Sequence, residues 1–226
     1  MKYTLKPAEL STLLRLVAAK TFTTANGEVI TEGMEGGLVE HEHNLSQHGR
    51  CWVEFHAQVT GHARVLDDAL VCDHARVYDS ARVERLAVVE KNAVVRDGAL
   101  ITYGARVTAH ADVSGHAIVG GHATVGGMAR VTDGARIGDD AIVRGEAKVY
   151  GEADVGGAAV VEGVAQVNCY ASVCATAYVA RCAYITDSAH IEGRACVIGR
   201  AMVGGDTHLD GDTVVRETPP PPKAEK

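Results

Sequence analysis

His110, His116 and His122 recur at steps of six residues. Imidazoles at a fixed spacing are the pattern that would serve a metal ion or a general base working near neutral pH. Cys51, Cys72, Cys169, Cys174, Cys182 and Cys196 form a second set of reactive groups, and no two of them have the two-residue gap of a zinc or redox pair. Arg64, Arg82 and Arg136 form a third set, suited to a small anionic ligand. The glycine-rich "GGHATVGG" has no following helix and no Lys-Ser/Thr pair, so it is not a phosphate loop. Which of these groups act together depends on the elements that carry them.

Those elements follow from a repeat. Stepping by six from Val53, every residue is Val, Ile or Leu through Val215, 28 consecutive positions without an insertion. Stepping by six from Ala57, every residue is Ala through Ala201, 25 in a row, after which Thr207 and Thr213 take the slot. A period of six fits a helix poorly. In a strand, residues two apart share a face, so Ala57 and Val59 point the same way. The second residue after each aliphatic is Gly or Asp at 19 of the 26 positions from Gly61 to Gly211. Both types tolerate the positive φ of a tight corner. Three two-residue strands and three corners close one triangular coil, so each turn spans three repeats. This predicts an all-β fold, a parallel β-helix of about nine coils and roughly 40–45 Å at ~4.8 Å per coil, over residues 51–216. Periodicity leaves the hand open.

The geometry separates the histidines. Successive sixes fall on different corners, roughly 15–20 Å apart at ~3.3 Å per residue, so His110, His116 and His122 share no ion within one chain. Each reads first as a solvated corner residue; the functional alternative is a general base at a subunit boundary, with His116 and His122 as catalytic candidates. The cysteines fail the same test, and neither a disulfide nor a metal site is expected. Arg64 and Arg82 stack one coil apart, with Glu84 as the simpler partner for Arg82 and an anion as the functional one.

Residues 18 apart share a side. One side reads Gln58, Arg76, Val94, Asp112, Arg130, Lys148, Gln166, Tyr184 and Met202, and a second carries Arg64, Arg82, Arg136, His190 and His208. The third presents Leu70, Val88, Ile142, Val160, Tyr178, Cys196 and Val214 and is the most apolar. A long exposed apolar strip marks an interface, most simply a closed homotrimer; the alternative is that the N-terminal segment folds back over part of it.

Residues 1–50 are expected to cap the lower edge; "LSTLLRLVAAKTF" fits an amphipathic helix or a strand, with Pro7 and Ser11 allowing a short helix before it. Trp52 is expected to cover the first coil, and the proline run of 217–226 to form a solvated tail. The net charge of −7 over 226 residues, without a basic cluster, argues against nucleic acid as a partner. With no signal-like or membrane-length apolar run, a cytoplasmic protein with reduced thiols and no membrane partner is expected.

The hexapeptide repeat resembles that of the left-handed parallel β-helices, widespread among acyltransferases such as the serine and galactoside acetyltransferases. The opening "GMEGGLVEHEHNLSQHGRCWVEFHAQVTGHARV", residues 33–65, is similar to that of the YdcK family, enterobacterial proteins described as acetyltransferases, with relatives in phage and prophage genomes. Leu38 departs from that pattern, standing where the relatives carry an aromatic. The resemblance implies a left-handed coil, a strand over 12–22 with "TTANGEV" as a turn, a homotrimer and, for an enzyme, acyl transfer from a coenzyme A thioester by a histidine at the subunit cleft. The uninterrupted repeat extrudes no loop to exclude water or position a substrate. The reading favoured is therefore a non-catalytic trimer that binds a small anionic ligand such as a nucleotide, or a scaffold rod of phage origin; the alternative is an O- or N-acyltransferase.

Overall fold

The computed structural model describes residues 1–9 and 11–216; the expected tail at 217–226 lies outside them. From Trp52–Val53 to Val214–Val215 a two-residue strand starts every six residues. Each pairs in parallel with the strand one full coil away, as in Arg76 with Val94 and Val88 with Leu70. Three sheets result, one per side of a triangular coil. The chain is a left-handed parallel β-helix: the repeat predicts the parallel coil and the resemblance implies its hand.

The inside is the aliphatic column. Val53 through Val203 and Ala57 through Ala201 are buried. Stiff β-branched side chains fill the flat walls, and Ala fits where two walls converge. Burying each Val contributes about 1.5–3 kcal/mol relative to exposure, and the column repeats this in every coil. Outward residues pair by backbone hydrogen bonds from coil to coil, for example Leu70 N–H to the Ala87 carbonyl at 3.0 Å.

All 26 corner positions from Gly61 to Gly211 have positive φ, and fourteen of them are not glycine. Every Asp at this position turns its carboxylate toward the corner N–H of the next coil: Asp139 accepts from Gly157 at 2.8 Å and Asp97 from Gly115 at 3.0 Å. That bond offsets the cost of the left-handed backbone, which explains why Asp is the favoured substitute for Gly.

The coil starts earlier than the aliphatic column. β5 (Glu35–Val39) pairs in parallel with Gln58–Val59, Leu45 bridges Val65, and β6 (Trp52–Val53) pairs with Leu70–Val71. These complete a further coil inside the segment expected to be a cap, for about ten in all. Gly36 and Gly37 permit it. A Cβ on Gly36 would lie 2.6 Å from Trp52 Cζ2, and one on Gly37 2.5 Å from the Glu54 carbonyl oxygen.

Below this coil the edge is closed by strands, not by the alternative helix. β1 (Tyr3–Pro7) pairs antiparallel with β2 (Leu14–Ala18), and β2 with β5, extending the first side downward. β1 lies within residues for which no strand is expected, and β2 lies inside the expected 12–22. β3 (Phe22–Thr23) and β4 (Val29–Ile30) form a hairpin around the predicted turn, and Phe22 meets the buried Trp52 edge-on at 5.5 Å. Among the described residues no helix is long and apolar enough to cross a membrane.

Candidate functional site

The first side carries an open groove. Its column of outward residues runs beside the corner column Asn92, His110, Met128 and Glu146, and between them lies a trough of about 460 Å³ whose cations are Arg76, Arg130 and Lys148. It continues downward past His56 and His74, through Arg76 and Asn92, and upward past Tyr150 and Gln166, through Arg130 and Lys148. Strand register stacks Arg130 directly on Lys148 and places Asp112 on the other side of Arg130. Like charges opposed one coil apart repel. Asp112 does not relieve them: its Oδ2 binds Arg96 at 3.1 Å, and its Oδ1 is buried without a hydrogen-bond partner. Among the described residues Arg76, Arg130 and Lys148 have no carboxylate at ion-pair distance. Arg96, by contrast, is held charged more firmly by its bond to Asp112. At the upper end, burial raises the Tyr150 phenol, whereas the hydrogen bond from the Asn168 amide lowers that of Tyr184.

His116 and His122 are exposed and stand on two different corners, one before Ile118 on the second side and one before Thr124 on the third. Each lies over a glycine of the coil below: a Cβ on Gly98 would meet His116 Nδ1 at 2.7 Å, and one on Gly104 would meet His122 Nδ1 at 2.6 Å. Among the described residues neither ring, nor that of His110, makes a hydrogen bond that would fix its tautomer. A histidine base is ordinarily oriented by such a partner. Of the three, only His110 lines the groove.

Arg64 and Arg82 are paired in register, and Arg82 donates to Glu84 at 2.6 Å. Arg136 lies three coils further along the same side, beyond Leu100 and Ile118. The three do not converge, because Arg82 and Arg136 are separated on one wall by three strand spacings, ~14 Å. The groove with unpaired cations is on the neighbouring wall. Stacking Arg76, Asp112, Arg130 and Lys148 by eighteens was open to sequence reading; that Arg96 takes up Asp112 was not.

On the third side Trp52 and Leu70 are buried, so the lower end is covered, while Val88, Ile142, Val160 and Tyr178 remain half-buried and Val214 exposed. The charges along this side are paired within it. Arg106 binds Glu90 through two nitrogens at 3.0 and 2.5 Å, and Arg144 binds Glu162 at 2.6 Å. Burial alone would raise the Glu90 carboxyl, but hydrogen bonds from Thr108 and Arg106 outweigh it and hold the group below its usual range. Tyr178 donates to Glu162, and this bond with that from Arg144 lowers the Glu162 carboxyl.

The six cysteines are free, yet they are not all isolated. Cys174, His190 and Glu192 come together near the top of the second side, a grouping that spacing among cysteines alone does not reveal. The signal was present as a step of 16 and a step of 18 from Cys174.

No family model and no curated protein matches this chain.

Proposed function

We propose that the chain is a homotrimeric, non-catalytic hexapeptide-repeat protein that holds a small anionic ligand of the nucleotide class in the first-side groove. A cytoplasmic setting accompanies this reading through the free cysteines, and a phage or prophage origin through the resemblance of its opening segment. The observation that carries it is the stacked pair Arg130 and Lys148, without an ion-pair partner among the described residues, in one open trough that Arg76 lines three coils further down. Two cations stacked one coil apart are stabilised by an anion that spans them, in competition with the Asp112 and Glu146 carboxylates that also line the trough. The strict six-residue spacing of the strands supports the non-catalytic part, since no loop leaves the coil to close over a substrate.

Calorimetric titration with ATP, coenzyme A and acetyl-coenzyme A tests it. One nucleotide-class ligand should bind saturably without turnover. Arg130→Ala and Lys148→Ala should each weaken it about 10-fold or more, the loss of one charge-assisted contact of about 1.5–3 kcal/mol. Binding to none of the three would favour a scaffold rod. His110, which lines the same groove, favours acyl transfer as the second reading: acetyl-coenzyme A turnover abolished by His110→Ala would replace the first.

A further inference from the structure

The second side ends in a set of metal-ligand groups that the anion groove does not use. On three successive coils its outward strand residues are Ser172, His190 and His208, in register. The residue after each inward aliphatic also points outward, which puts Cys174 one coil below Glu192. Cys174 Sγ lies 3.9 Å from His190 Nε2, and His190 Nε2 lies 3.2 Å from Glu192 Oε2. The ligand atoms of the three all lie within 4.8 Å of one another. A tetrahedral zinc ion with bonds of about 2.0–2.3 Å sets its ligand atoms roughly 3.3–3.6 Å apart. The cluster thus needs adjustments of only a few tenths of an ångström along these two edges. His208 Nε2 meets the other carboxylate oxygen of Glu192 at 2.8 Å. This is the outer contact that orients a ligating carboxylate.

From this geometry we infer a transition-metal site, with Cys174, His190 and Glu192 as ligands and His208 holding Glu192 in place. Thiolate, imidazole and carboxylate together suit Zn²⁺ or Co²⁺ and do not suit Mg²⁺ or Ca²⁺, which take oxygen ligands. The backbone frame is set by the coil: His190 precedes and Glu192 follows the buried Ile191 at the end of one strand, and Cys174 follows the buried Val173 one coil below. The ion would tie together coils near the upper end of the rod, where Leu209 is only half-buried. Its fourth position faces solvent, open to water.

The test uses the full-length untagged chain, freed of metal by chelator and titrated with Co²⁺. One equivalent per chain should produce thiolate-to-cobalt charge-transfer absorption together with the strong visible bands of a tetrahedral ion. Zn²⁺ should displace it and raise the melting temperature. Cys174→Ser should abolish the charge-transfer band while leaving the far-ultraviolet circular dichroism unchanged, and Cys182→Ser, which alters an exposed cysteine elsewhere, should keep it. His208→Ala should retain the band with affinity lowered about 10-fold or more. Absence of the band in the parent chain overturns the inference, as does its survival in Cys174→Ser or its loss in Cys182→Ser. None of these outcomes depends on whether a nucleotide binds the first side.

Discussion

At the residue scale, the signature residues of the opening segment turn out to be joinery. Asn44 is fully buried, and its side chain makes four hydrogen bonds. Its Oδ1 accepts from Glu40 N–H at 3.1 Å and His41 N–H at 2.7 Å; its Nδ2 donates to the carbonyls of Gly61 at 2.9 Å and Ala63 at 2.8 Å. Asn44→Ala would strand backbone groups of both the first and second coils. We expect a loss of about 2–4 kcal/mol in denaturant unfolding, since each orphaned buried group costs about 1–3 kcal/mol; a loss below about 0.5 kcal/mol would contradict the assignment. Glu54 gives a pH signature. Burial first, and then its neighbour Glu28 on the hairpin, push its carboxyl up to about 7. The folded chain therefore keeps a proton that the unfolded chain releases near the ordinary value of 4.5. Stability should fall as pH rises between these values and level off above about 7. Glu54→Gln should flatten that decline, as measured by melting temperature against pH; an unchanged slope would refute it. The motif "GG…NLS…WV" was legible as a signature. Its role was not, because the four partners of Asn44 are brought to it only when two coils stack.

At the element scale, the corner is the unit that decides how well the repeat holds. Ala109 and Ala175 adopt φ of 62° and 57° with no side-chain hydrogen bond to offset the strain. Replacing either with Gly should stabilise the rod by about 0.5–1 kcal/mol, the left-handed penalty less the extra chain entropy of glycine. Asp133 has the same backbone, φ 60°, and accepts from Gly151 N–H at 3.1 Å. Asp133→Ala should cost about 1–2 kcal/mol, whereas Asp133→Gly should be close to neutral, because it removes the bond and the strain together. An Asp133→Ala effect near zero, read from thermal unfolding, would show that the carboxylate does nothing there. The Gly/Asp pattern revealed where the corners are; the carboxylate-to-amide ladder needed the coordinates, since each partner lies one full coil away.

At the scale of the whole molecule, the proposed trimer places the third side between copies. Val88, Ile142, Val160 and Tyr178 line up on one wall, and the charges between them, Arg106 with Glu90 and Arg144 with Glu162, are already neutralised within the chain. Paired charges and apolar bodies lower the desolvation cost of closing a trimer. Val160→Glu and Tyr178→Glu should each convert a trimer into a monomer by light scattering, with coil content unchanged by circular dichroism. A parent chain that runs as a monomer at micromolar concentration would end the trimer proposal. The same dissociation should leave Co²⁺ binding at Cys174 intact, since all the ligands come from one chain.

The sequence by itself determined the coil. A period of six in aliphatics, alanines and corner residues admits one triangular coil, its hand aside, because inward volume, strand parity and positive φ must all agree at every step. It also determined which residues share a wall, since three repeats close one turn. Only the tertiary structure decided which charges remain free. Arg96 reaches Asp112, Arg106 reaches Glu90, and Arg130 and Lys148 are left unpaired, through side-chain contacts between adjacent coils that a one-dimensional period does not rank. The same holds for Cys174, His190 and Glu192: their meeting depends on rotamers on neighbouring turns, which the repeat permits at many positions and the packing realises at this one.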